Sequence, residues 1–179
     1  MRIISGKYKS RRLTAPKNLP VRPTTDMAKE GLFNMLNNWY YLDEIKVLDL
    51  FSGTGNISFE FASRGTTDIL SVDKHKGCVY YINQIAKELE FDIQTLTMDV
   101  FSFLEKHQGK HDVVFADPPY DFTDAQFESI ATLVFENNLL TEKGILVIEH
   151  SQQTDLSNHA YFTQAKRYGG CMFSFFEVN

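Results

Sequence analysis

Apolar residues in this chain gather in short runs that alternate with stretches where they return every third or fourth position. From residue 45 onward the runs Val47–Phe51, Ile69–Val72, Ile93–Leu96, Val113–Ala116 and Ile145–Ile148 predict buried strands. Helices are predicted between them at 56–64, 77–90, 100–106 and 124–138. The second carries Val79, Ile82, Ile85, Ala86 and Leu89 on one face, and the fourth Phe127, Ile130, Ala131 and Val134. Strands alternating with helices require a parallel sheet, because a crossover returns the chain to the same edge. Runs apolar throughout, rather than at alternate positions, require helices on both faces of that sheet.

The ends depart from this rhythm. Arg2-Ile3-Ile4 and Arg11-Arg12-Leu13, joined across Gly6-Lys7-Tyr8-Lys9-Ser10, predict a small basic hairpin. Pro16, Pro20 and Pro23 then keep the chain extended. A helix is predicted from Thr25 or Asp26, with Leu32, Phe33, Leu36 and Trp39 as its apolar stripe. Past residue 160, Tyr161–Arg167 and Cys171–Val178 flank Tyr168-Gly169-Gly170 and predict a closing antiparallel hairpin. One domain accounts for the 179 residues, with 1–25 as a basic extension and 26–179 as an α/β core.

Composition narrows the setting. An apolar share of 43% with 23% charged residues is that of a globular protein. No apolar stretch is long enough to cross a bilayer, and Met1–Lys7 lacks the apolar run of a signal peptide. Cys78 and Cys171 stand far apart without metal-binding company, so buried free thiols, a reducing cytoplasmic setting and no metal site are expected. The net charge of −5 is unevenly spread. Residues 1–30 hold eight basic side chains (Arg2, Lys7, Lys9, Arg11, Arg12, Lys17, Arg22 and Lys29) against Asp26 and Glu30, and the remainder is strongly acidic. Two readings fit: a polyanion partner met through one end of the molecule, or a solvated basic terminus.

Val47-Leu48-Asp49-Leu50-Phe51-Ser52-Gly53-Thr54-Gly55-Asn56 runs a hydrophobic strand into a glycine turn and then a helix. In open α/β sheets the ligand crevice lies beyond the carboxyl ends of the strands. No lysine follows Gly55, which argues against a triphosphate loop. A dinucleotide turn is matched in part, with Ser58 in the third glycine's place and Asp73 at the ribose distance. Asp73 at the end of the second strand could accept both hydroxyls of a ribose. Asp99 after the third could accept from an adenine amino group, with the Val100 N–H facing the ring. Asp49, inside an apolar strand, needs a positive or hydrogen-bonding partner, since a lone buried charge costs several kcal/mol. Each acid could instead cap the following helix. Three at successive strand ends favour a nucleoside.

Asp117-Pro118-Pro119-Tyr120 closes the fourth strand. Two prolines stiffen the backbone and remove two donors, leaving carbonyls able to face a cleft. Asp117 and one such carbonyl can accept both hydrogens of an amino group on a planar base. That draws the nitrogen lone pair out of conjugation and toward a methyl donor. Tyr120 offers a face to an unstacked base, worth about 1–3 kcal/mol.

Phe51-x-Gly53-x-Gly55 with Asp117-Pro118-Pro119-Tyr120 resembles the motif pair of S-adenosylmethionine (SAM)-dependent amino-methyltransferases. Met1-Arg2-Ile3-Ile4-Ser5-Gly6-Lys7, Arg22-Pro23-Thr24-Thr25-Asp26, Leu32-Phe33-Asn34 and Arg167-Tyr168-Gly169-Gly170 extend the likeness, over nearly the whole chain, to the RsmD family. Its members methylate guanine N2 in small-subunit (16S) ribosomal RNA. The resemblance implies a Rossmann-like, seven-stranded, mostly parallel sheet of order 3-2-1-4-5-7-6 with the last strand antiparallel. It implies that Asp49, Phe51, Gly53, Gly55, Asp73, Asp99 and Val100 hold SAM, and that Asp117, Pro118 and Tyr120 hold the guanine. Arg22-Pro23-Thr24 would lie near the cofactor and RNA entrance. The chain departs from the family at Asp26-Met27-Ala28-Lys29-Glu30, where Asp-Arg-Val-Arg-Glu is usual.

The expected partner is ribosomal RNA, bare or in an assembling small subunit, met by Arg2, Lys7, Lys9, Arg11, Arg12, Arg22 and Thr24. A monomer is the expected state. Adenine N6, cytosine N4 or a protein glutamine are alternative acceptors, although glutamine modifiers usually begin the second motif with Asn. A non-catalytic RNA-binding module is the alternative of another class.

Overall fold

The computed structural model describes residues 1–179. Its elements run α1 (Asp26–Trp39), β1 (Lys46–Leu50), α2 (Asn56–Ser63), β2 (Asp68–Asp73), α3 (Lys76–Glu88), β3 (Ile93–Thr97), α4 (Val100–Lys106), β4 (His111–Ala116), α5 (Asp124–Glu136), β5 (Leu140–His150), β6 (Phe162–Tyr168) and β7 (Cys171–Glu177). One seven-stranded sheet joins them in the order β3-β2-β1-β4-β5-β7-β6. The first five strands pair in parallel, and β7 runs antiparallel to both neighbours. Fold class and strand order are those expected from the sequence.

The parallel register sorts the side chains into two layers. Leu48, Leu50, Val72, Val114, Ala116, Leu146 and Ile148 pack against α4 and α5. Val47, Ile69, Val113, Phe115, Ile145 and Val147 pack on the opposite face against α1 and α2. Asp49 pairs with Ser71 and Phe115, so it too faces α2 rather than solvent. Asp117, one residue past β4, and Glu149 on β5 follow the same alternation. Three acids of adjacent strands therefore share one face near its carboxyl edge.

Three helices stop short of their expected ends for a common reason. Gly65, Glu90 and Asn138 take positive φ, and Thr66, Phe91 and Leu139 then donate to Phe61, Ala86 and Val134. These wrapped bonds satisfy carbonyls that a helix end leaves open. β5 is longer than expected, 11 residues, because its first half pairs across the β4–β5 edge from Leu140.

The amino-terminal hairpin is present but minimal. Arg2 and Arg12 form one antiparallel bridge, and Ile3 donates to the Arg11 carbonyl at 2.9 Å. What holds it is burial: Ile3 and Leu13 join Phe59, Tyr81, Ile82 and Leu89 in a third apolar cluster. The Glu60 carboxylate also accepts the Ile4 and Ser5 N–H groups at 2.9 and 3.0 Å.

Two expectations about α1 are corrected. Leu32, Phe33 and Leu36 are fully buried, but Trp39 is 43% exposed in the last turn and stands edge-to-face with Phe175. Lys29, counted among the basic surface residues, is 1% exposed. Its ammonium lies 3.3 Å from Glu60 and donates to Asn56 and to the Arg2 carbonyl. The cation neutralises an interior acid and contributes nothing to the outer field.

Candidate active site

Where β1 and β4 end, the chain leaves a cavity of about 330 Å³. Its first wall is the glycine turn. Phe51, Gly53 and Gly55 all have positive φ, at 55°, 54° and 84°. For a bulky residue such as Phe51 this conformation is strained, and strain of this kind gathers at functional sites. Gly53 and Gly55 serve different ends. Gly53 lines the cavity and donates its N–H to Asp73 Oδ2 at 2.8 Å. Gly55 caps α2 behind the wall, and a Cβ there would lie 2.9 Å from Ile82 and 3.1 Å from Phe59. Among the residues expected at the cofactor, Gly55 alone is absent from the lining; Asp49, Phe51, Gly53, Asp73, Asp99 and Val100 are all present.

The acids divide by role. Asp73 caps no helix; its second oxygen accepts the His75 N–H at 2.8 Å, so it ties the glycine turn to the start of α3. Asp99 does cap α4, accepting from the Ser102 N–H at 3.0 Å. Asp49 meets a hydroxyl, not a cation. Ser58 Oγ donates to it at 2.6 Å, with Ser71 Oγ a further 2.6 Å on. Burial pushes the Asp49 carboxyl up to about 7. Ser52 Oγ, on the cavity wall, is buried without a partner. An orphaned hydroxyl among carboxylates and turn N–H groups suits a polar ligand that both donates and accepts.

The Asp117-Pro118-Pro119-Tyr120 corner forms the opposite wall. The Asp117 N–H donates to the Leu50 carbonyl at 3.3 Å, which seats the corner beside the glycine turn. The sequence left either proline carbonyl able to face the cleft. The Pro119 carbonyl instead accepts from Phe122 at 3.1 Å, closing the turn, so only the Pro118 carbonyl stays clear of backbone donors. Burial, then the charges of Glu149 and Asp49, push the Asp117 carboxyl well above the usual carboxylate range. Phe122 stands edge-on to Phe51, with centroids 5.7 Å apart, and gives the cavity an aromatic side. Tyr120 is 43% exposed at the mouth, and the Arg22 guanidinium lies 5.5 Å from its ring centroid.

Two residues lie just behind this site without lining the cavity: Glu149, which the sequence reading does not single out, and Cys171, which it gives only as a buried free thiol. Glu149 is 3% exposed and accepts from Thr24 Oγ1 at 2.6 Å. Cys171, on the neighbouring β7, has its thiol pushed up to about 12 by burial and by the Glu149 and Asp117 charges. A signal for Glu149 existed: Ile145-Leu146-Val147-Ile148-Glu149 repeats the pattern of an apolar run ending in an acid.

The basic residues scatter. Arg22 stands at the mouth. Thr24 lines the cavity, but its hydroxyl is spent on Glu149. Arg2 pairs with Asp26 at 3.0 Å and Arg11 with Glu88 at 2.6 Å. Lys7 lies over Tyr8, and Lys9 and Arg12 are exposed without an ion-pair partner.

Comparison with known proteins places this geometry in a lineage. The chain is 34% identical over 161 residues to YlbH of Bacillus subtilis (strain 168), covering 87% of this chain and 85% of that protein. It is 30% identical over 174 residues to ribosomal RNA small subunit methyltransferase D of Haemophilus influenzae, covering 93% and 86%. The fold superimposes with a TM-score of 0.70 and 19% identity on the Thermus thermophilus 16S rRNA N2 methyltransferase RsmC, solved with AdoMet and guanosine; the match covers 90% of this chain and 45% of that one. Residues 1–177 match the family model described as Conserved hypothetical protein 95, and the chain belongs to that family.

Proposed function

We propose that this protein transfers a methyl group from SAM to the exocyclic N2 amino group of a guanine in small-subunit ribosomal RNA. The observation that carries the reading is the meeting of two walls. An Asp117 carboxyl and a Pro118 carbonyl clear of backbone donors open on the same cavity as Asp73, Asp99 and the glycine turn. When bound, SAM supplies the methyl group together with its leaving group and positive charge, so the protein's part is orientation and electrostatics.

The donor set suits that cofactor. Asp73 accepts from ribose hydroxyls, while Asp99 and the Val100 N–H address the adenine edge. Asp49 and the orphaned Ser52 hydroxyl meet the polar amino-acid end. Asp117 and the Pro118 carbonyl take the two hydrogens of the acceptor amine, which localises its lone pair. A carboxyl with raised proton affinity suits the second half of the event, when the methylated nitrogen gives up a proton. Tyr120 receives the base once it has left its stack. The name of the Haemophilus relative supports small-subunit RNA as substrate, and the guanosine in the Thermus structure supports guanine as the base. Lys7, Lys9, Arg12 and Arg22 then contact phosphates, which position the RNA without reading its sequence.

The test is incubation with tritiated SAM and small ribosomal subunits, or bare 16S RNA, from a strain lacking the gene, followed by nucleoside analysis. Label in N2-methylguanosine is expected. Label in methylated adenosine or cytidine would replace the acceptor, and no label in any RNA would defeat the reading.

A further inference from the structure

Glu149, buried behind the cavity wall, is tied to Thr24 on that wall, two residues from Arg22 at the mouth. Glu149 closes an apolar strand run, buried, next to a second buried acid. A carboxylate in that position is costly unless something nearby stabilises it. Glu149 accepts from the Thr24 hydroxyl at 2.6 Å and lies beside the Cys171 thiol, and the neighbouring cation is Arg22.

Thr24 is held from its other side as well. Its carbonyl accepts from Asn56 Nδ2 at 3.0 Å, and Asn56 Oδ1 accepts from Lys29 at 2.8 Å. Asn56 opens α2 directly after the glycine turn. Pro20 and Pro23 restrict the backbone on either side of Val21 and Arg22. The segment is thus pinned at Thr24, and Arg22, two residues away, is delivered over the Tyr120 ring at 5.5 Å. A flat base sandwiched between guanidinium and ring would need about 7 Å, twice an ordinary contact distance of ~3.5 Å. The 5.5 Å gap is too small. A base stacking on that face of Tyr120 must displace Arg22.

We propose that Glu149 and Thr24 form a latch, a pair of positioning residues that sets Arg22 beside Tyr120, where its guanidinium meets the phosphates of an RNA strand once a base takes its place on the ring. Resting on the methyltransferase reading, this assigns the pair to substrate capture and leaves the cofactor to the other wall. Arg22 exchanges an aromatic face for the phosphates of the same strand, where a guanidinium binds well. Because the latch holds the segment in register, the exchange needs only a side-chain swing.

Thr24→Val removes the hydroxyl at nearly constant volume, Thr24→Ser restores it, and Glu149→Gln keeps an acceptor oxygen but removes the charge. Each is measured for SAM affinity by calorimetry and for kcat and KM on small-subunit RNA. Thr24→Val is expected to raise KM for RNA about tenfold, the loss typical of a hydrogen bond to a charged group. SAM affinity should stay within about twofold, and Thr24→Ser should behave as wild type. Glu149→Gln should fall between, and adding it to Thr24→Val should cause no further loss, since the two residues act as one contact. An unchanged KM in Thr24→Val, a Thr24→Ser as impaired as Thr24→Val, or SAM affinity falling in step with KM would overturn the latch. Absence of RNA methylation by the wild-type protein is a different result and would count against the proposed function.

Discussion

The Lys29 ammonium and the Glu60 carboxylate face each other at 3.3 Å, with side chains 1% and 0% exposed. Burial pulls the lysine below its usual range against the pull of Glu60. The pair joins α1 to α2. Through Asn56 it also reaches Thr24 at the cavity, and through Ile4 and Ser5 it reaches the amino-terminal hairpin. Removing one member leaves the other charged in the interior, a loss of about 3–5 kcal/mol for buried pairs. Arg64, 2.9 Å from Glu60, softens the blow, so Lys29→Met is expected to lose about 3 kcal/mol in urea unfolding. A loss below about 0.5 kcal/mol, the level of a surface change, would mean that Arg64 alone satisfies Glu60.

Asp117→Asn should lower kcat on ribosomal subunits at least about a hundredfold, the scale of removing one well-placed polar group from a reacting centre. The melting temperature should hold or rise, because a buried carboxyl resisted by Glu149 and Asp49 is a burden to the fold at neutral pH. Near-normal turnover in this variant would exclude the hydrogen-bonding role.

One contribution to stability, remote from the active site, should fall with acid. His111, at the start of β4, is 7% exposed, and its Nε2 lies 2.9 Å from that of His107. Burial, then His107, lowers its pKa from 6.5 to about 4. The unfolded chain therefore binds a proton that the folded chain refuses between those two values. The stability held above pH 6.5 is lost as pH falls toward 4. The stability lead of the wild type over His111→Gln, read from urea midpoints, should shrink as pH falls across this window. Parallel pH profiles for the two proteins would dismiss the histidine as the cause.

RNA affinity should depend on the unpaired cations more than on the paired ones. Replacing Lys7, Lys9 and Arg12 by glutamine is expected to weaken binding and to flatten the log–log salt slope by about 2–3, at roughly 0.7–0.9 for each of the three phosphates no longer neutralised. Arg11→Gln, whose guanidinium is engaged with Glu88, should change the slope less. Equal effects from all four positions would mean that the ion pairs open on binding. Deleting residues 1–20 would be a poorer experiment, since Ile3 and Leu13 belong to the core.

Much of the site was legible because its signals are local. Positive φ at Gly53 and Gly55 follows from a turn too tight for a side chain, and the proline corner from the ring's fixed φ. Asp99 as a cap is a three-residue pattern, Asp99 to Ser102. Asp73 is local only in part: it accepts from His75 two residues on, but its other partner, Gly53, lies 20 residues back in the glycine turn. Glu149 shows locally as an acid ending an apolar run, but its partner is hidden: Thr24 lies 125 residues away. Lys29 looks like surface charge because neither its stripe position nor its composition reveals an acid on the facing helix.

By itself the sequence determined the elements, the strand order through family likeness, and the two motifs that meet at the cavity. These rest on short-range sterics and on hydrophobic period, which any window of the chain carries. Only the tertiary structure decided which polar groups are already spent. It gave the Pro119 carbonyl to Phe122, the Asp49 carboxyl to Ser58 and the Thr24 hydroxyl to Glu149. A hydrogen bond needs two partners within about 3 Å, and distant segments reach that range only when the sheet and its helices close around them.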